Sequence, residues 1–265
     1  MQKLIIPLLL LASFGVTAQP VHYTTANAHS HNDYEQPVPF YTAYKAGFGS
    51  IEADIFLIRG NLIVAHDISE LKKNRSIEEY YLKPLLDFVE ANRGYPYADT
   101  SKHLQMLIDI KTAPVNTLDS FIAVLKKYPA LISNPNLQWV ITGNRPPDST
   151  FASYPSFIWF DGLLFKDYGR QPLEKIVMMS DDFKSYSLWN GDGALPTADL
   201  DKIVKAIARC HALHKPVRFW DAPDTPNTWK QFMQLGVDFI NTDRIEQLEE
   251  YLRATSRIPP PGARE

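Results

Sequence analysis

The chain has almost no cysteine and no concentration of charge. Cys210 is the only cysteine among 265 residues, so stability does not come from an internal disulfide. It sits in the apolar pattern Ile203-Val204-Ala206-Ile207-Cys210 and reads as a small core residue on a helix, not as a thiol nucleophile. Lysine and arginine number 27 against 30 acids, a formal net charge of −3. With no long basic run, this balance argues against a nucleic-acid or anionic-membrane binder. No internal repeat, low-complexity tract or Gly/Ser linker divides the chain. What is present is the composition of an ordinary soluble domain, 45% apolar and 22% charged.

The amino end has its own character. Lys3 precedes an apolar run over residues 4–16, broken only by Pro7, Ser13 and Gly15, and Val16-Thr17-Ala18 follows. The run is too short to span a bilayer and leads into polar chain, as in a secretory signal peptide. A short N-terminal anchor is the competing reading. The expected organisation is a signal peptide at 1–18, one barrel domain at 19–257 and a Pro-rich tail at 258–265. The expected residence is outside the cytoplasm, periplasmic or secreted, with no integral span after signal removal and with oligomeric state open.

Short apolar strands alternate with helical spacing along the rest of the chain. Strands are expected at 24–29, 50–57, 104–110, 138–142, 157–163, 175–179, 217–220 and 237–241, and a ninth at 62–66 folds back as a hairpin after Arg59-Gly60-Asn61. Helices are expected at 40–46, 77–89, 118–127, 198–213, 228–235 and 244–252, the last four capped by Thr117, Thr197, Asn227 and Asp243. Alternation in one domain of this length predicts an α/β fold, a parallel (β/α)8 TIM-type barrel. An open doubly wound sheet is the second choice.

Four strands carry chemistry. In Ile51-Glu52-Ala53-Asp54-Ile55 the two acids share one face and the apolar residues the other. A barrel packs its apolar face on helices and turns the acids inward, where a divalent cation relieves their repulsion; oxygen ligands suit Mg²⁺ or Ca²⁺. In Leu107-Ile108-Asp109-Ile110-Lys111, Asp109 and Lys111 again share a face, offering one ligand and one cation for phosphoryl oxygens. The hairpin returns His66 towards Glu52 and Asp54. Near the first strand, Asn27, His29 and His31 recur at period two. Two opposed imidazoles can take a proton from a nucleophile and give one to a leaving group. A zinc site built from His29 and His31 is the alternative use of the same residues. Arg145, after the fourth principal strand, is a candidate anion ligand, and Asp161 is a candidate partner for a histidine or lysine. Tyr186, Trp189 and Trp220 are candidates to line a substrate groove.

Gly47-Phe48-Gly49-Ser50-Ile51-Glu52-Ala53-Asp54 and Leu62-Ile63-Val64-Ala65-His66-Asp67 resemble glycerophosphodiester phosphodiesterases of the phospholipase-C-like superfamily. Leu107-Ile108-Asp109-Ile110-Lys111-Thr112 looks more like the third-strand motif of the related sphingomyelinase D toxins. Val217-Arg218-Phe219-Trp220 and the run 236–243 resemble the seventh and eighth strands of both. The resemblance implies a distorted barrel binding one divalent cation through Glu52, Asp54 and Asp109. It also implies His66 and a first-strand histidine as acid and base, Lys111 facing the phosphate and Trp220 in the wall above it. The family's His-Arg-Gly is replaced by His29-Ser30-His31-Asn32-Asp33. Placement on that motif selects His29, and spacing to Glu52 selects His31, which is preferred here, with His29 kept as the substitute candidate. The run His31-Asn32-Asp33-Tyr34 resembles a bacterial branch. The expected function is therefore an exported phosphodiesterase that hydrolyses or cyclises a small-molecule or lipid phosphodiester. An inactive secreted binding protein on the same barrel and a zinc hydrolase are the alternatives.

Overall fold

A computed structural model describes Pro20 and residues 22–256; the expected signal peptide at 1–18 and tail at 258–265 lie outside the described residues. The strands are β1 Ala28–Ser30, β2 Ser50–Ile58, β3 Asn61–Val64, β4 Leu104–Ile110, β5 Leu137–Gly143, β6 Ile158–Leu163, β7 Ile176–Asp182, β8 Val217–Trp220 and β9 Ile240–Thr242. The helices are α1 Tyr41–Ala46, α2 Lys83–Ala91, α3 Pro114–Leu125, α4 Pro129–Ile132, α5 Arg170–Lys175, α6 Thr197–Ala212, α7 Pro226–Leu235 and α8 Ile245–Thr255.

The parallel strands run in the order β8-β7-β6-β5-β4-β2-β1-β9, and β3 lies antiparallel on β2. Because β9 pairs with β1 and a bridge joins Arg218 to Phe239, the sheet curls into a nearly closed barrel of eight parallel strands. The open-sheet alternative is excluded. At the seam a side chain completes the ladder: Asp238 Oδ2 accepts the Val217 N–H and lies 2.8 Å from His211 Nε2.

Pleat alternation sorts the side chains. Ile51, Ala53 and Ile55 of β2 and Met106, Ile108 and Ile110 of β4 are fully buried in the main core around the helices. On the inner face, Leu107, Val140 and Met178 form a small apolar layer. Above it, towards the carboxyl ends of the strands, the inner residues turn polar, as barrel enzymes place their chemistry.

Several boundaries differ from expectation for local reasons. Residues 25–27 form a 3-10 turn capped by Thr24 instead of the start of a strand. None of the four expected N-caps holds. Pro114 and Pro226 stand at the first helical position, where a fixed φ and a missing N–H fit, so α3 and α7 start upstream of Thr117 and Asn227. Thr117 turns its hydroxyl to the Ala113 carbonyl, and Thr225 caps α7. Pro196 precedes α6, placing Thr197 inside it. Arg244 precedes α8, and Asp243 is engaged elsewhere. Among the described residues, no helix is long and apolar enough to cross a membrane.

Candidate active site

A cavity of about 480 Å³ opens at the carboxyl end of the barrel, lined by His31, Glu52, His66, Asp109, Lys111, Arg145, Arg218 and Trp220, among others. A second space of about 600 Å³ lies at the opposite end, where Lys102, His103 and Arg253 line it; it has no acidic cluster, so the chemistry is sought in the first.

Register brings the acids together. Asp54 of β2 pairs directly with Asp109 of β4, and Glu52 lies two residues back on the same face. Ligand oxygens of Glu52, Asp54 and Asp109 all fall within 4.8 Å of one another, and among the described residues this is the one such group. Lys111 Nζ lies 2.9 Å from Asp54 Oδ2 and 3.1 Å from Asp109 Oδ2. The Oδ1 atoms of both aspartates are buried with no hydrogen-bond partner. Buried carboxylate oxygens without donors fit a hard cation. Burial, then the charges of Glu52 and Asp109, push the Asp54 carboxyl up to about 8 against the opposing pull of Lys111. Burial and Glu52 also raise Asp109. Burial opposes ionisation of Glu52 too, but the His29 hydrogen bond and the His31 and Arg218 charges hold it well below the usual range.

Gly143 makes room for Asp109. Its φ is +69°, and a Cβ there would overlap Asp109 Oδ1, so both backbone and space require glycine.

The two first-strand histidines have different surroundings. His29 is fully buried, with Nδ1 2.7 Å from Ser50 Oγ and Nε2 2.8 Å from Glu52 Oε2. Burial and Arg218 push it down to about 4, so the ring is neutral. Arg218 Nη1 also lies 2.8 Å from this Nε2, so Glu52, His29 and Arg218 meet in one buried triangle in which the carboxylate accepts and the guanidinium donates. Gln105 Nε2 donates to Ser50 Oγ at 2.9 Å, extending the chain that orients Glu52. His31 lies beyond the strand end and lines the cavity, with Nδ1 2.9 Å from Asp243 Oδ1. Burial works against its charge, but Asp243 and Glu52 outweigh it and raise the pKa. His66 lines the same cavity. The zinc alternative is not supported, since both His29 ring nitrogens are occupied and the one acid cluster is all oxygen.

Lys111, Arg145 and Trp220 all line the cavity. Arg145 is anchored through Nη1 to the Asp161 carbonyl, and Trp220 is 38% exposed. Asp161 holds neither histidine nor lysine: Thr142 and Ser180 hydroxyls donate to its Oδ2. Tyr186 binds Asp181 and Trp189 binds the Asp192 carbonyl, and neither lines the cavity. Sequence reasoning passed over Arg218, which is buried and sends Nη1 to Glu52 Oε2 at 3.0 Å and to Asn241 Oδ1 at 3.0 Å. Its alternation with Trp220 on β8 was the available signal. Tyr34 was passed over as well; its hydroxyl lies 2.7 Å from Asp54 Oδ2 and 2.7 Å from Asn32 Oδ1.

Comparison with known proteins finds similarity in sequence and in fold. A profile described as an AIM6-like phosphodiesterase domain matches residues 19–131, and one for the glycerophosphoryl diester phosphodiesterase family matches residues 216–246. Altered inheritance of mitochondria protein 6 from Kluyveromyces lactis is 27% identical, over 85% of this chain and 72% of its own length. A homolog of that protein from Arthroderma benhamiae is 28% identical, over 84% of this chain and 82% of its own. These relatives are fungal and give no support to the expected bacterial branch. Among solved structures, a glycerophosphodiester phosphodiesterase from Parabacteroides distasonis aligns with a TM-score of 0.57 at 14% identity, over 87% of this chain and 98% of its own. A phosphodiesterase from Oleispira antarctica, in complex with the product sn-glycerol-3-phosphate, aligns at 0.54 and 12%, over 85% and 95%. The two profiles make parts of this chain similar to phosphodiesterase families, and the solved structures share its barrel fold.

Proposed function

We propose that the chain is a divalent-cation-dependent phosphodiesterase acting on a small-molecule or lipid phosphodiester, with Glu52, Asp54 and Asp109 as cation ligands. The observation that carries this reading is the pair of partnerless carboxylate oxygens on neighbouring Asp54 and Asp109, Asp109 lining the cavity that both His31 and His66 also line. Mg²⁺ or Ca²⁺ held there would supply Lewis acidity to a phosphoryl oxygen. His31 takes the proton of the attacking group or attacks directly, with Asp243 fixing its ring and stabilising its charged form. His66 gives a proton to the departing alcohol. Lys111 and Arg145 supply positive charge along the cavity wall for the phosphoryl oxygens, and Trp220 offers an apolar wall for the alcohol. His29 sets its Nε2 against Glu52 and Arg218, helps to hold Glu52 in place and does not meet the substrate. Attack by water gives hydrolysis, and attack by an internal hydroxyl gives a cyclic phosphate. Export is part of the proposal and rests on residues 1–18 alone.

The test is a diester panel of glycerophosphodiesters, phosphoinositides, lysophospholipids and sphingomyelin, assayed with Mg²⁺, Ca²⁺, Zn²⁺ or chelator. Turnover that needs Mg²⁺ or Ca²⁺ and falls at least about 100-fold in His66→Ala and in Glu52→Gln is expected. Turnover unaffected by chelator, or retained in both variants, sinks the assignment.

A further inference from the structure

The histidines assigned to proton transfer sit on separate segments. His31 follows β1, and His66 follows the antiparallel β3. One side chain outside the cavity lining touches both segments. Arg75 is 10% exposed at its side chain. Its Nη1 donates to the Tyr34 carbonyl at 2.6 Å, and its Nη2 donates to Glu70 Oε2 at 3.2 Å. That Glu70 oxygen also accepts the His66 backbone N–H at 3.3 Å. The guanidinium carbon lies 5.7 Å from the centroid of the Tyr34 ring. The backbone of Arg75 is fixed in turn, because its carbonyl accepts the Val64 N–H at 2.7 Å and its neighbour Ser76 bridges to Ile63.

On the other side, Tyr34 belongs to a stiff turn. Asn32 is left-handed at φ 45°, and buried Asp33 accepts from the Ser30 hydroxyl, the Phe40 N–H and the Tyr81 hydroxyl. A shift of Arg75 is therefore passed to His31 and His66 together instead of being absorbed by slack chain.

We propose that Arg75 is a positioning residue that sets the spacing between His31 and His66; the proposal rests on the two-histidine reading above. The planar guanidinium has donors in a fork wide enough to serve both segments at once, which a lysine ammonium does not. A displacement of about 1 Å between reacting groups is enough to reduce turnover by about 100-fold.

The experiment compares Arg75→Ala, Arg75→Lys and Glu70→Gln in the full chain, the last keeping the buried guanidinium in case Arg75→Ala does not fold. Hydrogen exchange is expected to quicken in residues 31–40 and 66–75 together, with β4 to β7 unchanged. Exchange that changes in neither segment, or in only one, overturns the clasp. Turnover is then read on paired diesters with an alkyl or a p-nitrophenyl leaving group, since the aryl group leaves without an acid. The alkyl diester is expected to slow by about 100-fold and the aryl diester by less than about tenfold, with Arg75→Lys recovering only part. Equal losses on both substrates overturn the positioning role. If the wild-type protein hydrolyses no diester, the enzymatic reading fails, and the clasp is still decided by exchange alone.

Discussion

Glu52 has one carboxylate to meet three demands: it faces the cavity, touches His29 and accepts from Arg218. With Oε2 occupied by Arg218 and His29, Oε1 is the oxygen left for a cation. Partners that orient a ligand carboxylate fix its geometry, so losing one weakens metal binding. His29→Ala is therefore expected to weaken Mn²⁺ or Mg²⁺ binding by about 10–100-fold by calorimetry, without moving the pH dependence set by His31. In the proposed mechanism the pH dependence belongs to the His31 and Asp243 pair. A base must be neutral to accept a proton, and Asp243 holds His31 above its ordinary pKa, so activity falls away on the acid side at a higher pH than a free histidine would give. Asp243→Asn removes that support. The acid limb of kcat/KM should then move to lower pH, and an unmoved limb would mean that His31 is not the base.

Among the elements, β5 has the most to lose from a small change. Gly143 ends it at φ +69°, with Asp109 where a Cβ would go. Gly143→Ala is expected to lower stability by about 1–3 kcal/mol in thermal unfolding and, because Asp109 must move, to weaken cation binding as well. The acids themselves were legible in the sequence, since alternation on β2 and β4 needs only one apolar face per strand to say which way Glu52, Asp54 and Asp109 point. Helix starts were less legible, because Pro114 and Pro226 outrank a polar cap further along. Arg218 was least legible. An arginine between Val217 and Phe219 looks like any strand arginine until closure brings β8 near β1, and only then do Glu52 and Asn241 come within its reach.

For the whole molecule, closure is held by few groups. The joint between β8 and β9 relies on the Arg218 to Phe239 bridge, on two main-chain bonds to Val217 O, on Arg218 donating to Asn241, and on Asp238, which serves the Val217 N–H and His211. Asp238→Ala leaves a buried N–H unpaired, and a loss of about 1–3 kcal/mol in urea unfolding is expected, with exchange quickening at 217–220 and 237–242 before the rest of the barrel. The same joint bears on the order in which the site is completed during synthesis. The acids lie within the first 109 residues, whereas Arg218 and Asp243 come late in the chain. A ribosome-bound chain short of residue 217 therefore carries the carboxylates without the guanidinium that offsets Glu52 and without the partner that orients His31. Until its last strands arrive, the nascent protein holds an acidic cluster that is not yet a complete site.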